Sequence, residues 1–175
     1  KKRNQKTENK EFTIVEFGAG PATPLTDRLI EFTKQHQQSQ LPVRYIINDA
    51  DEESARIIRD MPEIAGTDSS VIIPPAQSIV SQLASMPSRS VDVIAGNYAA
   101  HHLRPEELDA FFEQAQRVLK PGGKIINGEL HLNPHQTAAE RVKIITDFKA
   151  KVIKNNFARG AITLAQQEFA TMASD

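Results

Sequence analysis

Five short apolar runs alternate with segments of helical period, and this alternation constrains the fold more than any other feature of the chain. Phe12–Phe17 is β-branched and aromatic and closes on Gly18, the pattern of a strand. Val43–Asn48, residues 71–73, Val91–Asn97 and residues 124–130 read the same way. The fourth run is apolar on both faces, as a central parallel strand must be. Helical spacing fills the gaps between the runs. Thr23 caps and Pro24 opens a first helix, with Leu25, Leu29 and Phe32 on its apolar face, to about Gln38. Asp51 caps a second helix to about Asp60, with Glu52 and Glu53 in the first turn, where the helix dipole favours carboxylates. Residues 77–86 carry Ile79, Val80 and Leu83 as a short third helix. Arg104-Pro105-Glu106-Glu107 opens the clearest one. Its Leu108, Phe111, Phe112, Ala115, Val118 and Leu119 fall at helical spacing, and Pro121-Gly122-Gly123 ends it. Thr137 and Glu140 form a capping box ahead of Val142, Ile145, Phe148 and Val152. A last helix is expected over residues 163–173, capped by Thr163 with Gln166.

Strict alternation predicts a mostly parallel sheet with helices on both faces. Right-handed crossovers leave a doubly wound, Rossmann-like α/β sheet as the topology. The 175 residues suffice for one domain with a core of its own. Lys+Arg 21 against Asp+Glu 22 leaves a net charge of -1, which creates no global field for nucleic acid or an anionic membrane. There is no cysteine, which excludes a disulfide scaffold, a Cys-ligated metal and a cysteine nucleophile. No apolar stretch approaches the roughly 20 residues that span a bilayer. Nothing points to secretion, so the cytoplasm is the expected compartment. Residues 1–11 read as a basic flexible leader and 12–175 as one domain. Lys1 stands first in place of Met, so the chain reads as processed, trimmed or part of something longer.

Ligands of open parallel sheets sit beyond the carboxyl ends of the strands, so chemistry is expected in the loops there. After the first strand, Gly18 permits a tight turn and Gly20 lets a ligand approach the backbone. Thr23 stands where a dinucleotide fingerprint would place its third glycine, which speaks against NAD or FAD. The helix N-terminus still favours an anion, such as a ligand carboxylate. After the second strand come Asn48-Asp49-Ala50-Asp51. A carboxylate at this place accepts hydrogen bonds from ribose hydroxyls. Asp51 reads as a helix cap, and Asp49, nearer the strand, as the ribose ligand.

Four segments stand in order along about residues 12–130: Val15-Glu16-Phe17-Gly18-Ala19-Gly20, Asn48-Asp49-Ala50-Asp51, the run from Val91 through His101-His102-Leu103, and Arg117-Val118-Leu119-Lys120-Pro121-Gly122-Gly123. Together they resemble class I S-adenosylmethionine-dependent methyltransferases, the last segment most specifically. The resemblance implies S-adenosylmethionine as cofactor. It implies a cofactor site at Glu16, Gly18, Ala19, Gly20, Asp49, Ala50, Ala76, Gln77, Asn97 and Tyr98. A cofactor without a pyrophosphate needs no third glycine. Its cationic sulfonium and amino group suit an acidic loop, and Glu16 is placed to meet the amino group directly or through water. The Arg117 to Gly123 turn is structural and is assigned no ligand.

Two departures from the family pattern stand out. The acid that usually follows the third strand and meets adenine is replaced by Pro74-Pro75-Ala76-Gln77, which leaves the Ala76 backbone or the Gln77 side chain for that contact. After Leu130 only helical patterns follow, so the domain is expected to lack the family's last two strands. Such a chain reads as a fragment, or as part of a longer protein whose further domains, or a second copy, are its partners. Asn97, Tyr98, His101 and His102 follow the fourth strand, nearest the expected methyl position. Glu129 and His131 alternate after the fifth and share a side that would line an acceptor pocket. His102 is preferred to His101 as the group acting on substrate, with Tyr98, Glu129 and His131 the other catalytic candidates. No metal is expected. Asn97-Tyr98-Ala99-Ala100 lacks the prolines of nucleic-acid nitrogen methyltransferases, which favours a small-molecule acceptor. The leading expectation is therefore methyl transfer to a small molecule. The alternative is a catalytically inactive, methyltransferase-like binding or structural module of a larger protein. A nicotinamide-dependent reductase fits less well, because of Thr23 and the Arg117 to Gly123 turn.

Overall fold

The structure, a computed structural model, describes residues 11–21, 24–65, 67, 69–129 and 135–158. The expected leader, Thr23, Leu130, His131 and the helix at 163–173 lie outside the described residues, apart from Glu11 at the leader's end.

The strands are β1 (Phe12–Phe17), β2 (Val43–Asn48), β3 (Val71–Ile72), β4 (Val91–Asn97) and β5 (Leu119–Gly128). The helices are α1 (Pro24–His36), α2 (Glu52–Arg59), α3 (Ile79–Ala84), α4 (Pro105–Val118) and α5 (Ala138–Ala158), with a single 3-10 turn at Ala100–His102. All five strands pair in parallel, in the order β3-β2-β1-β4-β5. The chain winds outward from β1 in one direction and then from β4 in the other. The switch point lies between those two strands, where a doubly wound sheet opens its ligand crevice.

Alternation along β1 and β2 feeds two cores. Val15 and Phe17 of β1 and Ile46 of β2 pack with Ile79, Leu83, Phe111, Ala115 and Val118, under α3 and α4. Ile14, Tyr45 and Ile47 pack with Ile30, Ile58, Met61 and Val71, under α1 and α2. Helices therefore cover both faces, as the alternation of elements requires. Two N-terminal signals hold: Asp51 accepts the Ser54 N–H at 2.7 Å, and Thr137 and Glu140 exchange bonds as a capping box. Arg117 stitches α4 to the end of α3, donating to the Met86 and Leu83 carbonyls at 2.8 and 2.7 Å. At the amino ends of the strands, Asp92 accepts the Thr13 N–H at 2.7 Å and pairs with Lys120 at 2.6 Å.

Several local expectations are corrected. The buried stripe of α1 is Thr26, Ile30 and Thr33, while Phe32 is exposed and Leu29 only partly buried. Glu16 draws Thr26 inward by a hydrogen bond, and Thr33 satisfies its hydroxyl on the Leu29 carbonyl at 2.7 Å. Phe112 of α4 is half exposed, at the rim of its stripe. Val142 of α5 is exposed, whereas Phe148 meets the ring of Tyr98 at 4.5 Å between centroids. The helix before β5 ends at Val118, and β5 starts at once. Leu119 pairs with Val91 and Lys124 with Val93, so the Pro121-Gly122-Gly123 turn is looped out of a strand already begun.

Candidate functional site

Four loops meet at the carboxyl end of the sheet. The first follows β1. Gly18 has φ +60° and Gly20 φ +54°, a left-handed conformation that side chains resist. A Cβ on Gly18 would stand 2.3 Å from the Cβ of Ala99, so this loop lies directly on the loop after β4. A Cβ on Gly20 would meet nothing within 4 Å. Gly20 thus presents bare backbone to open space, the surface a cofactor needs for close approach.

The second loop follows β2. Asp49 Oδ2 accepts the Gly20 N–H at 2.8 Å, and Oδ1 accepts the Asp51 N–H at 2.8 Å. The carboxylate predicted to hold ribose therefore sits against the glycine loop predicted to admit the cofactor, 29 residues away in sequence. Burial pushes the Asp49 pKa up, the N–H bonds from Asp51 and Gly20 offset part of this, and the net shift is upward. Ala50 beside it is exposed, and Ala19 is fully buried with its N–H directed at the Asn48 carbonyl, 3.4 Å away.

The loop after β3 is latched onto the same place. The Gln77 N–H donates to the Asp49 carbonyl at 3.0 Å, and Asn48 Nδ2 donates to the Gln77 carbonyl at 3.0 Å. Asn48 is fully buried for this purpose. Gln77 directs its amide at Gln82 at 2.6 Å, and half-buried Ala76 precedes it. Gln82 did not stand out in the sequence, and Asn48 did so only as the residue before Asp49, because an internal amide carries no pattern of its own.

The fourth loop follows β4. Tyr98 has φ +56°, a strained conformation for a tyrosine. It is held by its N–H bond to the Gly128 carbonyl at 2.7 Å and by Phe148. This bend sets Ala99 on Gly18 and starts the 3-10 turn that carries both histidines. His101 Nδ1 lies 2.9 Å from Glu129 Oε2, and Glu129 Oε1 accepts the Ala100 N–H at 2.9 Å. Asn97, at the end of β4, is half-buried and faces Gly128. The geometry pairs His101, and not the preferred His102, with Glu129. His131, expected on the same side as Glu129, lies outside the described residues.

Glu16 is almost fully buried. Its carboxylate accepts hydrogen bonds from Thr26 Oγ1 at 3.0 Å and from the Tyr45 hydroxyl. Burial, and then the charge of Glu16, raise the Tyr45 pKa well above its ordinary value, so the phenol stays protonated and donates. Glu16, expected to meet the cofactor's amino group, has here an internal anchoring role that the sequence did not suggest. Among the described residues no group of three or more His, Asp or Glu side chains is placed to hold a metal ion. An apolar depression of about 430 Å³, lined by residues such as Phe12, Phe32, Leu41 and Val43, lies at the amino ends of β1 and β2. It is at the opposite end of the sheet from these loops and is not part of the site. Among the described residues no helix is long and apolar enough to cross a membrane.

Comparison with known proteins bears on the fold. Residues 49–127 match the family model described as a methyltransferase domain. No curated protein sequence matches the chain. A Methanococcus maripaludis protein assigned as an S-adenosylmethionine-dependent methyltransferase superposes with a TM-score of 0.54 and 17% identity, covering 93% of this chain and 68% of that one. Precorrin 8w decarboxylase from Methanobacterium thermoautotrophicum gives 0.51 and 19%, over 80% and 64%. Phosphoethanolamine N-methyltransferase 1 of Haemonchus contortus, solved with phosphoethanolamine and S-adenosylhomocysteine, gives 0.51 and 20%, over 73% and 26%. The chain thus spans from 26% to 68% of the length of these relatives. At these identities the likeness establishes the fold, the Rossmann-like fold of class I methyltransferases, and the family match supports methyl transfer in general.

Proposed function

We propose that this chain, with its class I methyltransferase fold and its methyltransferase-domain match, binds S-adenosylmethionine at the carboxyl end of the sheet and serves methyl transfer to a small-molecule acceptor. One observation carries the reading: the Asp49 carboxylate lies 2.8 Å from the N–H of Gly20, whose α-carbon faces open space. In this reading a ribose acid and a bare backbone cradle stand side by side at the carboxyl end of the sheet. S-adenosylmethionine supplies an electrophilic methyl group on a sulfonium. In this reading Asp49 holds the ribose hydroxyls, and Gly18, Ala19 and Gly20 leave room for the cofactor. Glu16 bears a charge opposite to the amino group, and the Ala76 and Gln77 backbone flanks the base. Asn97 and Tyr98 border the methyl side. In this reading the chain acts in the cytoplasm.

A second reading, a module that binds without catalysing, is favoured by Glu16, whose carboxylate already serves Tyr45 and Thr26 inside the core. Calorimetric titration of the chain with S-adenosylmethionine and S-adenosylhomocysteine tests the first reading. Micromolar binding of either supports it, and cooperative melting without binding of either refutes it. Binding with no turnover of any acceptor supports the second.

A further inference from the structure

Beside the proposed ribose acid, a second carboxylate is braced against the loop after β3. Glu52 is the first residue of α2, a short step along the chain from Asp49. Its Oε1 accepts from Arg59 Nη1 at 2.9 Å, across two turns of the same helix face. Arg59 Nη2 reaches on to the Pro74 carbonyl at 3.5 Å. The guanidinium thus ties Glu52 to the 74–77 loop, which itself carries no acid. The hydrogen bond from Arg59 holds the Glu52 carboxyl below the usual carboxylate range, and the Ala76 N–H adds to this. Glu52 therefore stays ionised and can only accept. The same loop borders the ribose side, because the Gln77 N–H donates to the Asp49 carbonyl at 3.0 Å. The base of a nucleoside is bonded directly to its ribose. A ribose on Asp49 therefore brings its base to this loop, where exposed Ala50 and half-buried Ala76 offer no polar side chain and Glu52 does.

We propose that Glu52 reads the exocyclic amino group of the bound base, with Arg59 as its positioning residue, so that the site selects adenine against hypoxanthine. The proposal rests on the S-adenosylmethionine reading above and adds to it a base-selecting residue on α2. The chemistry is one of matched edges. A carboxylate acceptor beside a backbone N–H donor complements an amino donor beside a ring-nitrogen acceptor, which is the edge of adenine. Hypoxanthine presents a carbonyl and a ring N–H, the reverse order, and sets its oxygen against the carboxylate. Arg59 and the Ala76 N–H take two of the roughly four lone-pair positions of the carboxylate, which leaves room for an amino hydrogen.

The test uses the full chain and its Glu52→Gln, Arg59→Ala and Arg56→Ala variants. Each is titrated by calorimetry with S-adenosylhomocysteine and with S-inosylhomocysteine, in which a carbonyl replaces the amino group. The readout is the ratio of the two dissociation constants, which a general loss of folding or of loop order does not move. Wild type is expected to prefer the amino ligand by about 5–150-fold, the usual range for paired bonds to a base edge. A glutamine amide can turn to accept or to donate, so Glu52→Gln is expected to bring the ratio below about threefold. Its side chain is 68% exposed, so the substitution leaves the core untouched. Arg59→Ala leaves the carboxylate unbraced and is expected to lower the ratio by a smaller factor. Arg56, paired with Asp60 at 3.4 Å on the same helix, serves as the control, and Arg56→Ala is expected to keep the wild-type ratio. Equal affinity of wild type for the two ligands, or an unchanged ratio in Glu52→Gln, overturns the proposal. A fall in Arg56→Ala as large as that in Glu52→Gln also overturns it, since charge alone and no contact is then at work. An unchanged ratio in Arg59→Ala overturns the positioning role. Failure of wild type to bind either ligand overturns the S-adenosylmethionine reading instead. The base contact is then decided by ¹⁵N spectra with adenosine and inosine at millimolar concentration. A shift of the Ala76 amide with adenosine alone supports it, and a shift with both or with neither overturns it.

Discussion

Asp49 offers the sharpest separation of binding from folding. Its carboxylate accepts two backbone N–H bonds, from Gly20 and Asp51. A charged acceptor strengthens such bonds, yet burial raises the Asp49 pKa on balance, so the site penalises the charge more than the two donors repay. Asp49→Asn removes that penalty and keeps one oxygen for one of the two donors. Its effect on stability at neutral pH is therefore expected to be small, about 1 kcal/mol or less, the scale of one net hydrogen bond. Cofactor affinity is expected to respond more. Charge-assisted bonds to ribose are worth about 1–3 kcal/mol, or about 5–150-fold in Kd. The assay is a calorimetric titration with S-adenosylhomocysteine beside a urea melt of each protein. The sign of the pH dependence follows from the raised pKa. Asp49 is protonated in the folded protein at pH values where an unfolded aspartate, near 3.8, is already ionised. Its contribution to stability is thus full below the unfolded pKa and is lost as pH rises through the folded one. Affinity runs the other way. It falls as pH drops through the folded pKa, above the ordinary carboxylate value, and this step is absent in Asp49→Asn. Wild-type affinity in Asp49→Asn, or a loss of affinity matched by an equal loss of stability, would refute the reasoning.

Other substitutions probe the supports of the site. Gly18→Ala combines left-handed backbone strain of about 1–2 kcal/mol with overpacking against Ala99 worth about 1–3 kcal/mol, so its urea midpoint should fall well below that of wild type. Gly20→Ala has the same backbone strain but open space around its methyl, so it should melt closer to wild type while losing S-adenosylhomocysteine binding. Tyr45→Phe takes one donor from the buried Glu16 carboxylate and should cost about 1–3 kcal/mol in a denaturant melt. Arg117→Ala frees the Met86 and Leu83 carbonyls at the end of α3 and should cost about 1–2 kcal/mol with cofactor affinity unchanged, as expected of a turn that touches no ligand.

The sequence by itself determined what depends on neighbours a few residues away. The bounds of β1, β2 and β4, the Asp51 cap and the Thr137–Glu140 box are local matters of side-chain period and short-range hydrogen bonding. The alternation of elements then restricts the sheet to a parallel, doubly wound order, which puts Gly18, Gly20 and Asp49 at its carboxyl end. Tertiary structure alone decided the pairings that span the sheet. Helical spacing in α1 fits either the Leu25 stripe or the Thr26 stripe, and the choice fell to Glu16, a strand residue that draws Thr26 into the core. Adjacent histidines look alike in sequence. The left-handed bend at Tyr98 and the β4–β5 register turned His101 toward a carboxylate 28 residues further along. The physical reason is the same in each case: a local pattern fixes which atoms are available to bond, but packing of distant segments fixes which of them come within 3 Å.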